Sequence, residues 1–258
     1  MSEGQKTLEQ RILDAKRANR VARIPYITAG FPKLDDFIPI LKDLDEYGSD
    51  IIEIGIPFSD PVADGPVVED ASRRALINGV SLHWIFEKLK TLDKPLKAGL
   101  VLMGYYNPFL QYGFDALVRD CLAVGVQGLV VPDLPLEESR PLKEALKKAD
   151  INLVTLVGPN TSEERMREYA DDSQGYVYVV SVLGTTGMRS QVSHEANATL
   201  ERARKVFDIP VALGFGIKNP EQVQAMSVQP DAAVFGSALL RHLDEGGTVK
   251  DFMEPWLK

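Results

Sequence analysis

The residues best suited to chemistry lie in and just after one isoleucine-rich segment. Glu53 interrupts the apolar run at 51–56, and Asp60 and Asp64 follow in a loop rich in proline and glycine. Such a run predicts a strand buried on both faces, as in parallel sheets. Because strand side chains alternate, Glu53 should point away from the isoleucine face, and Gly55 should leave open space for a ligand beside it. A buried carboxylate has a partner, a proton or a catalytic role. The alternative is a structural Glu bonded to a backbone amide or a cation, and the strand pattern alone does not distinguish this role from a catalytic one.

Composition narrows the class of protein. The 258 residues are 45% hydrophobic and 26% charged, which is typical of a globular chain. The net charge of -8 argues against broad binding to nucleic acids or anionic membranes. The single Cys121 cannot form an internal disulfide, and a structural role is more common for such a residue than a nucleophilic one. Residues 1–22 lack the apolar core of a signal peptide, so we expect a cytoplasmic protein.

The remaining elements predict an α/β barrel. Thr7 to Gln10 matches a capping box and predicts a helix before the first strand. Short apolar runs then alternate with amphipathic helices, and the predicted strands are 24–28, 51–56, 98–103, 128–131, 152–157, 177–181, 210–213 and 232–235. The predicted helices are 34–47, 82–92, 114–124, 137–149, 162–170, 195–207 and 220–226. Eight such units favour a single (βα)8 TIM barrel with an extra N-terminal helix over an open doubly wound sheet. No linker divides the chain, so we expect one domain over residues 1–258.

Glycines after the last two predicted strands indicate a phosphate site. Gly214, Phe215 and Gly216 follow the seventh strand, and Gly236 and Ser237 follow the eighth. In this fold, phosphates bind at these two loops and at a helix start, where backbone N–H groups face the anion. Either motif alone could simply close a turn, but their consecutive placement favours phosphate. The long loop at 182–193 is interpreted as a lid or binding loop, with a merely solvated loop as the alternative.

Metal and cofactor chemistry are not indicated. His83, His194 and His242 are far apart in the predicted strand order, and neither a P-loop nor a dinucleotide fingerprint occurs. The pattern that remains is acid–base chemistry by carboxylates on a phosphorylated substrate. The candidates are Glu53, Asp60, Asp64 and Asp133, and the residues alone do not choose between Asp60 and Asp64.

Five segments resemble the alpha subunit of tryptophan synthase. They are residues 25–32 (PYITAGFP), 53–66 (EIGIPFSDPVADGP), 105–108 (YYNP), 132–138 (PDLPLEE) and 214–217 (GFGI). The resemblance is collinear over nearly the whole chain, and the second segment is too long for chance agreement. It implies a lyase that cleaves indole-3-glycerol phosphate to indole and glyceraldehyde 3-phosphate. By the same resemblance Glu53 is the general acid/base and Asp64 the second catalytic carboxylate.

The resemblance also implies roles for other positions. Tyr178 would lie near Glu53, and Thr186 and Gly187 would belong to a closing lid. The residues expected to line the indole pocket are Tyr26, Leu102, Tyr105 and Leu129. Those expected at the rest of the substrate, chiefly its phosphate, are Gly187, Gly214, Phe215, Gly216, Ile217, Gly236 and Ser237. Ordinary core packing is the alternative for the aromatic and leucine residues of the pocket.

Family members act with a beta subunit that binds pyridoxal phosphate and consumes the indole. The resemblance therefore implies an alpha-beta-beta-alpha heterotetramer, with no cofactor and no metal in this chain. The residues expected to face the partner are Pro57, Asp60, Asn107 and Pro135. The chain departs from the family at Thr185, where valine is more frequent, and at Glu69-Asp70, where a glutamine is common nearby.

Two other functions remain open at this point. One is a barrel enzyme that acts on a different sugar phosphate. The other is a subunit without catalysis that only activates its partner, although such a subunit would not need both Glu53 and Asp64.

Overall fold

The protein folds as a parallel β-barrel surrounded by helices. The structure, a computed structural model, describes residues 6–180, 194–214 and 216–258, with the side chain of His194 left out. The strands are β1 (Ala22–Thr28), β2 (Ile51–Gly55), β3 (Gly99–Met103), β4 (Val126–Val130), β5 (Asn152–Leu153), β6 (Thr155–Val157), β7 (Val177–Val180), β8 (Val211–Gly214) and β9 (Ala232–Phe235). Their order in the sheet is β5-β4-β3-β2-β1-β9-β8-β7-β6, and every neighbouring pair is parallel.

The sheet closes through its fifth predicted strand. β5 and β6 stand at opposite ends of the strand order, yet only Val154 separates them in the chain. β5 pairs with β4, β6 pairs with β7, and the N–H of Val154 donates to the carbonyl of Leu129 at 2.9 Å. Residues 152–157 therefore act as one interrupted barrel strand, and the predicted (βα)8 barrel is confirmed.

Helices cover the outside of the barrel and one of its ends. They are α1 (Leu8–Arg17), α2 (Phe37–Glu46), α3 (Pro66–Ile77), α4 (Leu82–Leu89), α5 (Tyr106–Tyr112), α6 (Phe114–Val124), α7 (Arg140–Lys147), α8 (Glu163–Ala170), α9 (His194–Val206), α10 (Pro220–Gln224), α11 (Ser237–Asp244) and α12 (Val249–Met253). Short 3-10 turns precede α2 and α7, at Leu34–Asp36 and Leu136–Glu138, and another ends the chain at Glu254–Leu257.

The predicted capping box at the start of α1 is present. The N–H of Gln10 donates to Thr7 Oγ1 at 3.2 Å, and Gln10 Oε1 accepts from the N–H of Thr7 at 2.9 Å. Arg11 of α1 then donates to the backbone carbonyl of Lys97, just before β3 begins. The extra N-terminal helix therefore lies at the amino ends of the barrel strands, opposite the loops that carry the candidate site.

Two apolar layers follow from the alternation of side chains along the strands. Ile52, Ile54 and Ile56 belong to the outer layer between the sheet and the helices. Ile51 belongs to the inner layer, which fills the barrel together with side chains such as Tyr26, Val101, Met103, Val130 and Tyr178. The predicted opposition of Glu53 to the isoleucine face is therefore confirmed, and Glu53 lies on the inner side of β2.

Candidate active site

Glu53 is a carboxyl enclosed by the barrel. It lies in β2, opposite Tyr26 of β1 and Val101 of β3, and only 2% of its surface is exposed. Its Oε2 atom has no hydrogen-bond partner among the residues that the structure describes. Burial and, to a lesser extent, the charge of Asp64 raise the pKa of Glu53 to about 8. Glu53 is therefore protonated at neutral pH and can act as an acid.

Asp64 reaches the same region from the loop between β2 and α3. Burial raises its pKa to about 6, the Tyr105 hydroxyl opposes that rise, and the charge of Glu69 adds to it. Tyr105 also anchors the loop, because its hydroxyl oxygen accepts a hydrogen bond from the N–H of Ala63 at 3.0 Å. The Tyr105 ring stacks on Phe58 of the same loop, with 5.1 Å between the ring centroids.

The two carboxyls differ in protonation near neutral pH. With pKa values of about 8 and about 6, Glu53 holds a proton under conditions in which most Asp64 side chains are ionised. A proton donor beside a negative charge suits a reaction that protonates a substrate and stabilises positive charge close to the new bond.

A cavity of about 270 Å³ opens beside Glu53 at the carboxyl ends of the strands. Its walls are mostly apolar, so it suits a flat apolar group held against an acid. The lining residues are Glu53, Ala63, Met103, Val130, Pro132, Leu156, Val157, Gly158, Tyr178 and Val180. Of the predicted site residues, Glu53 and Tyr178 line this cavity directly.

The structure does not place Leu102 and Leu129 in this cavity. Both are fully buried in the outer layer between the sheet and the helices. Their chain neighbours Met103 and Val130 line the cavity instead. A shift of one residue along a strand moves a side chain to the opposite face of the sheet, so these two predicted positions are corrected by one residue each.

Gly55 does not leave open space beside Glu53. A Cβ atom at Gly55 would overlap with the hydroxyl group of Tyr26, and one at Gly236 would lie 2.7 Å from Tyr26 Cδ1. The ring of Tyr26 therefore occupies the space that both glycines leave. Its hydroxyl lies 3.3 Å from Thr28 Oγ1, and only 7% of the residue is exposed.

The glycines that were predicted to bind phosphate also affect side-chain packing. A Cβ atom at Gly214 would overlap with the ring of Tyr178, so a glycine there admits this aromatic residue. Gly216 has a φ of +79°, a conformation that glycine adopts readily, and Ile217 is buried. Ser237 is the first residue of α11, directly after β9 and Gly236. The first N–H groups of a helix have no partner within the helix, so a helix start of this kind can bind an anion.

Three predicted site residues lie outside the described part of the chain. They are Thr186 and Gly187 of the proposed lid, and Phe215 of the glycine loop after β8.

Comparisons with known proteins identify the family of this chain. The family model described as "Tryptophan synthase alpha chain" matches residues 12–254. A tryptophan synthase alpha chain from Desulfovibrio desulfuricans is 58% identical over 251 residues, which cover 96% of this chain and 98% of that protein. The chain belongs to the tryptophan synthase alpha chain family.

Solved structures agree with this membership. A tryptophan synthase from Mycobacterium tuberculosis superimposes with a TM-score of 0.86 and 33% identity, over 96% of this chain and 94% of the other. The alpha subunit from Legionella pneumophila gives a TM-score of 0.84 and 27% identity, over 95% and 93% of the two chains. As a member of the tryptophan synthase alpha family, the chain is a carbon–carbon lyase of tryptophan biosynthesis. It cleaves indole-3-glycerol phosphate to indole and glyceraldehyde 3-phosphate.

The residues expected to face a beta subunit differ in exposure. Asp60 and Pro135 are exposed on loops that follow strands, and Asn107 is exposed in the first turn of α5, whereas Pro57 is buried just after β2. Asp60 accepts a hydrogen bond from the Ser59 hydroxyl. Asp60 thus faces solvent, whereas Asp64 is half-buried beside Tyr105.

Sequence reasoning missed several residues of the cavity wall. Met103, Val130, Leu156 and Val180 are apolar strand residues that composition does not separate from core. Strict alternation counted outward from Glu53 could have identified Met103, because Glu53 pairs with Val101 and Met103 lies two positions further on the same face. The sequence Leu156-Val157-Gly158 contains no pattern that would have identified Gly158 as a residue of the cavity wall.

The described residues contain neither a metal-binding cluster nor a membrane-spanning helix. Within residues 6–180, 194–214 and 216–258, no group of three or more His, Cys, Asp and Glu side chains is arranged to hold a metal ion. Over the same ranges, no helix combines the length and apolar character needed to cross a membrane.

Proposed function

We propose that Glu53 and Asp64 carry out the lyase reaction of this chain. The observation that supports the proposal most strongly is their placement: Glu53 lines the cavity, Ala63 beside Asp64 lines it too, and the charge of Asp64 reaches Glu53. The pair combines a protonated and an ionised carboxyl at one end of one pocket.

The reaction begins with a proton transfer from Glu53 to C3 of the indole ring. This protonation interrupts the aromatic ring system and leaves positive charge near the ring nitrogen. The Asp64 carboxylate accepts a hydrogen bond from the ring N–H and stabilises that charge.

The second half of the reaction returns the proton. Glu53, now a carboxylate, takes the proton of the hydroxyl group on the adjacent side-chain carbon, and that carbon becomes an aldehyde. The electron pair of the broken C–C bond restores the indole ring, so Glu53 ends the cycle protonated. General acid–base catalysis of this kind typically contributes about 10²–10⁴-fold to the rate.

The rest of the substrate is held by the pocket walls and the glycine loops. Met103, Val130 and Tyr178 would contact the indole ring, and Tyr26 and Tyr105 would shape the pocket behind the two carboxyls. The phosphate would bind to backbone N–H groups at the ends of β8 and β9 and in the segments that follow them, and to the lid residues Thr186 and Gly187. The residues of these two regions are Gly214, Phe215, Gly216, Ile217, Gly236 and Ser237.

We further propose that the chain works in an alpha-beta-beta-alpha heterotetramer. Pro57, Asp60, Asn107 and Pro135 would lie at the contact with the beta subunit, and pyridoxal phosphate would belong to that subunit alone. The compartment is the cytoplasm, as expected for an enzyme of amino-acid biosynthesis, and residues 1–258 act as one barrel domain.

Indole release from indole-3-glycerol phosphate tests the two carboxyls. The purified chain should cleave this substrate slowly alone and faster with a beta subunit, because docking would favour a closed site. Glu53→Gln and Asp64→Asn should each lower kcat by about 10²-fold or more, since each removes a group that acts in the transition state. Both should keep their affinity for glycerol phosphate, because the phosphate loops are unchanged.

The matched control is Asp35→Asn. Asp35 is an exposed carboxylate in the turn after β1, at the same end of the barrel, and should leave kcat unchanged. If Glu53→Gln retains the parent rate, Glu53 has no part in the mechanism. A parent chain that does not cleave this substrate with or without partner, yet accelerates the partner, would instead indicate an activating subunit.

A further inference from the structure

Asp133 is a carboxylate that the mechanism above does not use. It lies in the loop after β4, and its side chain is exposed. Asp133 Oδ1 nevertheless accepts a hydrogen bond from the backbone N–H of Tyr106 at 2.8 Å. This bond joins the loop after β4 to the loop after β3, two segments 27 residues apart in the chain.

The hydrogen bond supplies a missing helix cap. Tyr106 is the first residue of α5, and the first N–H groups of a helix have no partner inside the helix. Tyr105, at the N-cap position, makes no capping hydrogen bond with its side chain. Asp133 therefore caps α5 from a different loop, and its negative charge also suits the positive end of the helix dipole.

Tyr105, which precedes Tyr106 in the chain, anchors the loop between β2 and α3 that carries Asp64. Tyr105 is 2% exposed, and its hydroxyl oxygen accepts a hydrogen bond from the N–H of Ala63 at 3.0 Å. The hydroxyl group also opposes the rise in the pKa of Asp64. Fixing the N–H of Tyr106 fixes the peptide plane between Tyr105 and Tyr106, and with it the direction in which the Tyr105 side chain leaves the backbone.

Within the part of the chain that the structure describes, the loop that carries Asp64 has few other anchors. Ser59 and Asp60 are exposed, Gly65 is exposed, and Val62 is 82% exposed. Phe58 stacks on the Tyr105 ring, so it does not anchor the loop independently of Tyr105. Since the loop depends on Tyr105 in this way, a small rotation of Tyr105 would displace Asp64 relative to Glu53.

We propose that Asp133 is a positioning residue of the lyase reaction, which holds Tyr105, and through Tyr105 the loop of Asp64, by accepting the N–H of Tyr106. The inference rests on the proposed function, because it assigns Asp133 an effect on catalysis that passes through Asp64. Asp133 itself touches no reacting atom.

The first test compares Asp133→Ala with Asp133→Asn. Alanine removes the acceptor, whereas asparagine keeps a side-chain oxygen at the same distance from the backbone. Asp133→Ala should lower kcat about tenfold, as expected when one hydrogen bond to a charged group is lost. KM should change much less, because the phosphate loops and the cavity walls are intact. Asp133→Asn should recover most of the lost kcat.

The pH profile separates positioning from a general structural effect. Tyr105 opposes the rise in the Asp64 pKa, so a displaced Tyr105 leaves Asp64 harder to ionise. The acid limb of the kcat/KM profile should therefore move to higher pH in Asp133→Ala. The control is Glu144→Ala, which removes an exposed carboxylate of α7 that makes no hydrogen bond or ion pair within the described ranges, and should move neither kcat nor the acid limb.

A double-mutant cycle with Tyr105→Phe provides a second, independent measurement. Tyr105→Phe keeps the ring and removes the hydroxyl, and it should also move the acid limb upward. If Asp133 acts through Tyr105, adding Asp133→Ala to Tyr105→Phe should move the limb no further. Additive shifts would overturn the proposal, as would a parent-like acid limb in Asp133→Ala or equal losses of kcat in the alanine and asparagine variants.

Glu53→Gln, measured in the same assay, distinguishes failure of this inference from failure of the proposed function. A parent-like rate in Glu53→Gln would refute the assigned mechanism whatever Asp133 does. An inactive Glu53→Gln together with a parent-like Asp133→Ala would refute the positioning role alone.

Discussion

Glu53 and Asp64 bind protons differently because their surroundings differ. Glu53 is enclosed within the barrel, and its Oε2 atom finds no partner in the part of the chain that the structure describes. Asp64 lies on a loop, where the hydroxyl of Tyr105 favours its charged form. The same chemical group can thus act as an acid in one place and as a stabilising anion in the other.

The surroundings of Glu53 also predict a pH-dependent change in stability. The carboxyl stays protonated in the folded protein up to a pKa of about 8, compared with an ordinary value of 4.5. The stability contributed by neutral Glu53 is therefore complete below the unfolded pKa and is lost as the pH rises through the folded pKa. Glutamine does not titrate, so Glu53→Gln should gain stability over the parent as the pH rises across this window.

Thermal and urea unfolding of both proteins between about pH 5 and about pH 9 measure this gain. Because one unit of pKa shift corresponds to about 1.4 kcal/mol, the difference in the free energy of unfolding should widen by a few kcal/mol. Leu102→Ala changes no titratable group and should show a constant difference. A constant difference for Glu53→Gln as well would mean that Glu53 ionises normally in the folded protein.

At the scale of single residues, sequence reasoning succeeded where a local rule applied. Strand alternation placed Glu53 inside the barrel, but it did not reveal that Tyr26 fills the space beside Gly55. Tyr26 comes from a different strand, so only the pairing of β1 with β2 brings it there. Asp60 and Asp64 share one loop and one residue type, and their different burial follows from a contact with Tyr105, which is distant in sequence.

The strands set which side chains can meet the substrate. Leu102 and Met103 are neighbours in β3, and the pleat directs Leu102 to the helices and Met103 to the cavity. The resemblance to the family located the strand correctly, and the error of one residue reversed the face. An assignment within a strand is therefore reliable only once the direction of one side chain is known.

This alternation predicts different effects of two adjacent substitutions, one mainly on stability and the other mainly on KM. Leu102→Ala should lower the free energy of unfolding by about 2–5 kcal/mol, because it removes a fully buried side chain from the outer layer. Met103→Ala enlarges the substrate cavity, so it should raise KM for indole-3-glycerol phosphate while costing less stability. Denaturation curves and steady-state kinetics of the two variants provide the comparison. A larger effect of Leu102→Ala than of Met103→Ala on KM would contradict the observed faces.

Helices were predictable where their apolar spacing was long and regular. The prediction at 114–124 matches α6, whereas α3 and α5 were not predicted. Both contain proline near their start, Pro66 and Pro108, which indicates a turn as readily as a first helical turn. The interruption of the fifth strand at Val154 lies inside the single strand predicted at 152–157, and no proline or glycine in that segment indicates it.

At the scale of the molecule, the barrel gathers groups that are far apart in the chain. Glu53 of β2, Tyr178 of β7 and the start of α11 after β9 all lie at or near the carboxyl ends of the strands. The alternation of strands and helices predicted this common edge, because parallel strands end on the same side of a barrel. The distances between these groups depend on the register of strand pairing and on the closure of the barrel. Both involve several segments of the chain, so no single segment of the sequence predicts them.

The pH dependence of kcat/KM for cleavage of indole-3-glycerol phosphate is the sharpest test of catalysis by Glu53 and Asp64, because it reports the essential acid and base of the free enzyme. We expect a bell-shaped profile, with an acid limb near pH 6 from Asp64 and an alkaline limb near pH 8 from Glu53. Asp64→Asn should remove the acid limb from its residual activity. A profile that stays flat from acid to neutral pH, or an acid limb that persists in Asp64→Asn, would contradict these roles of Asp64 and Glu53.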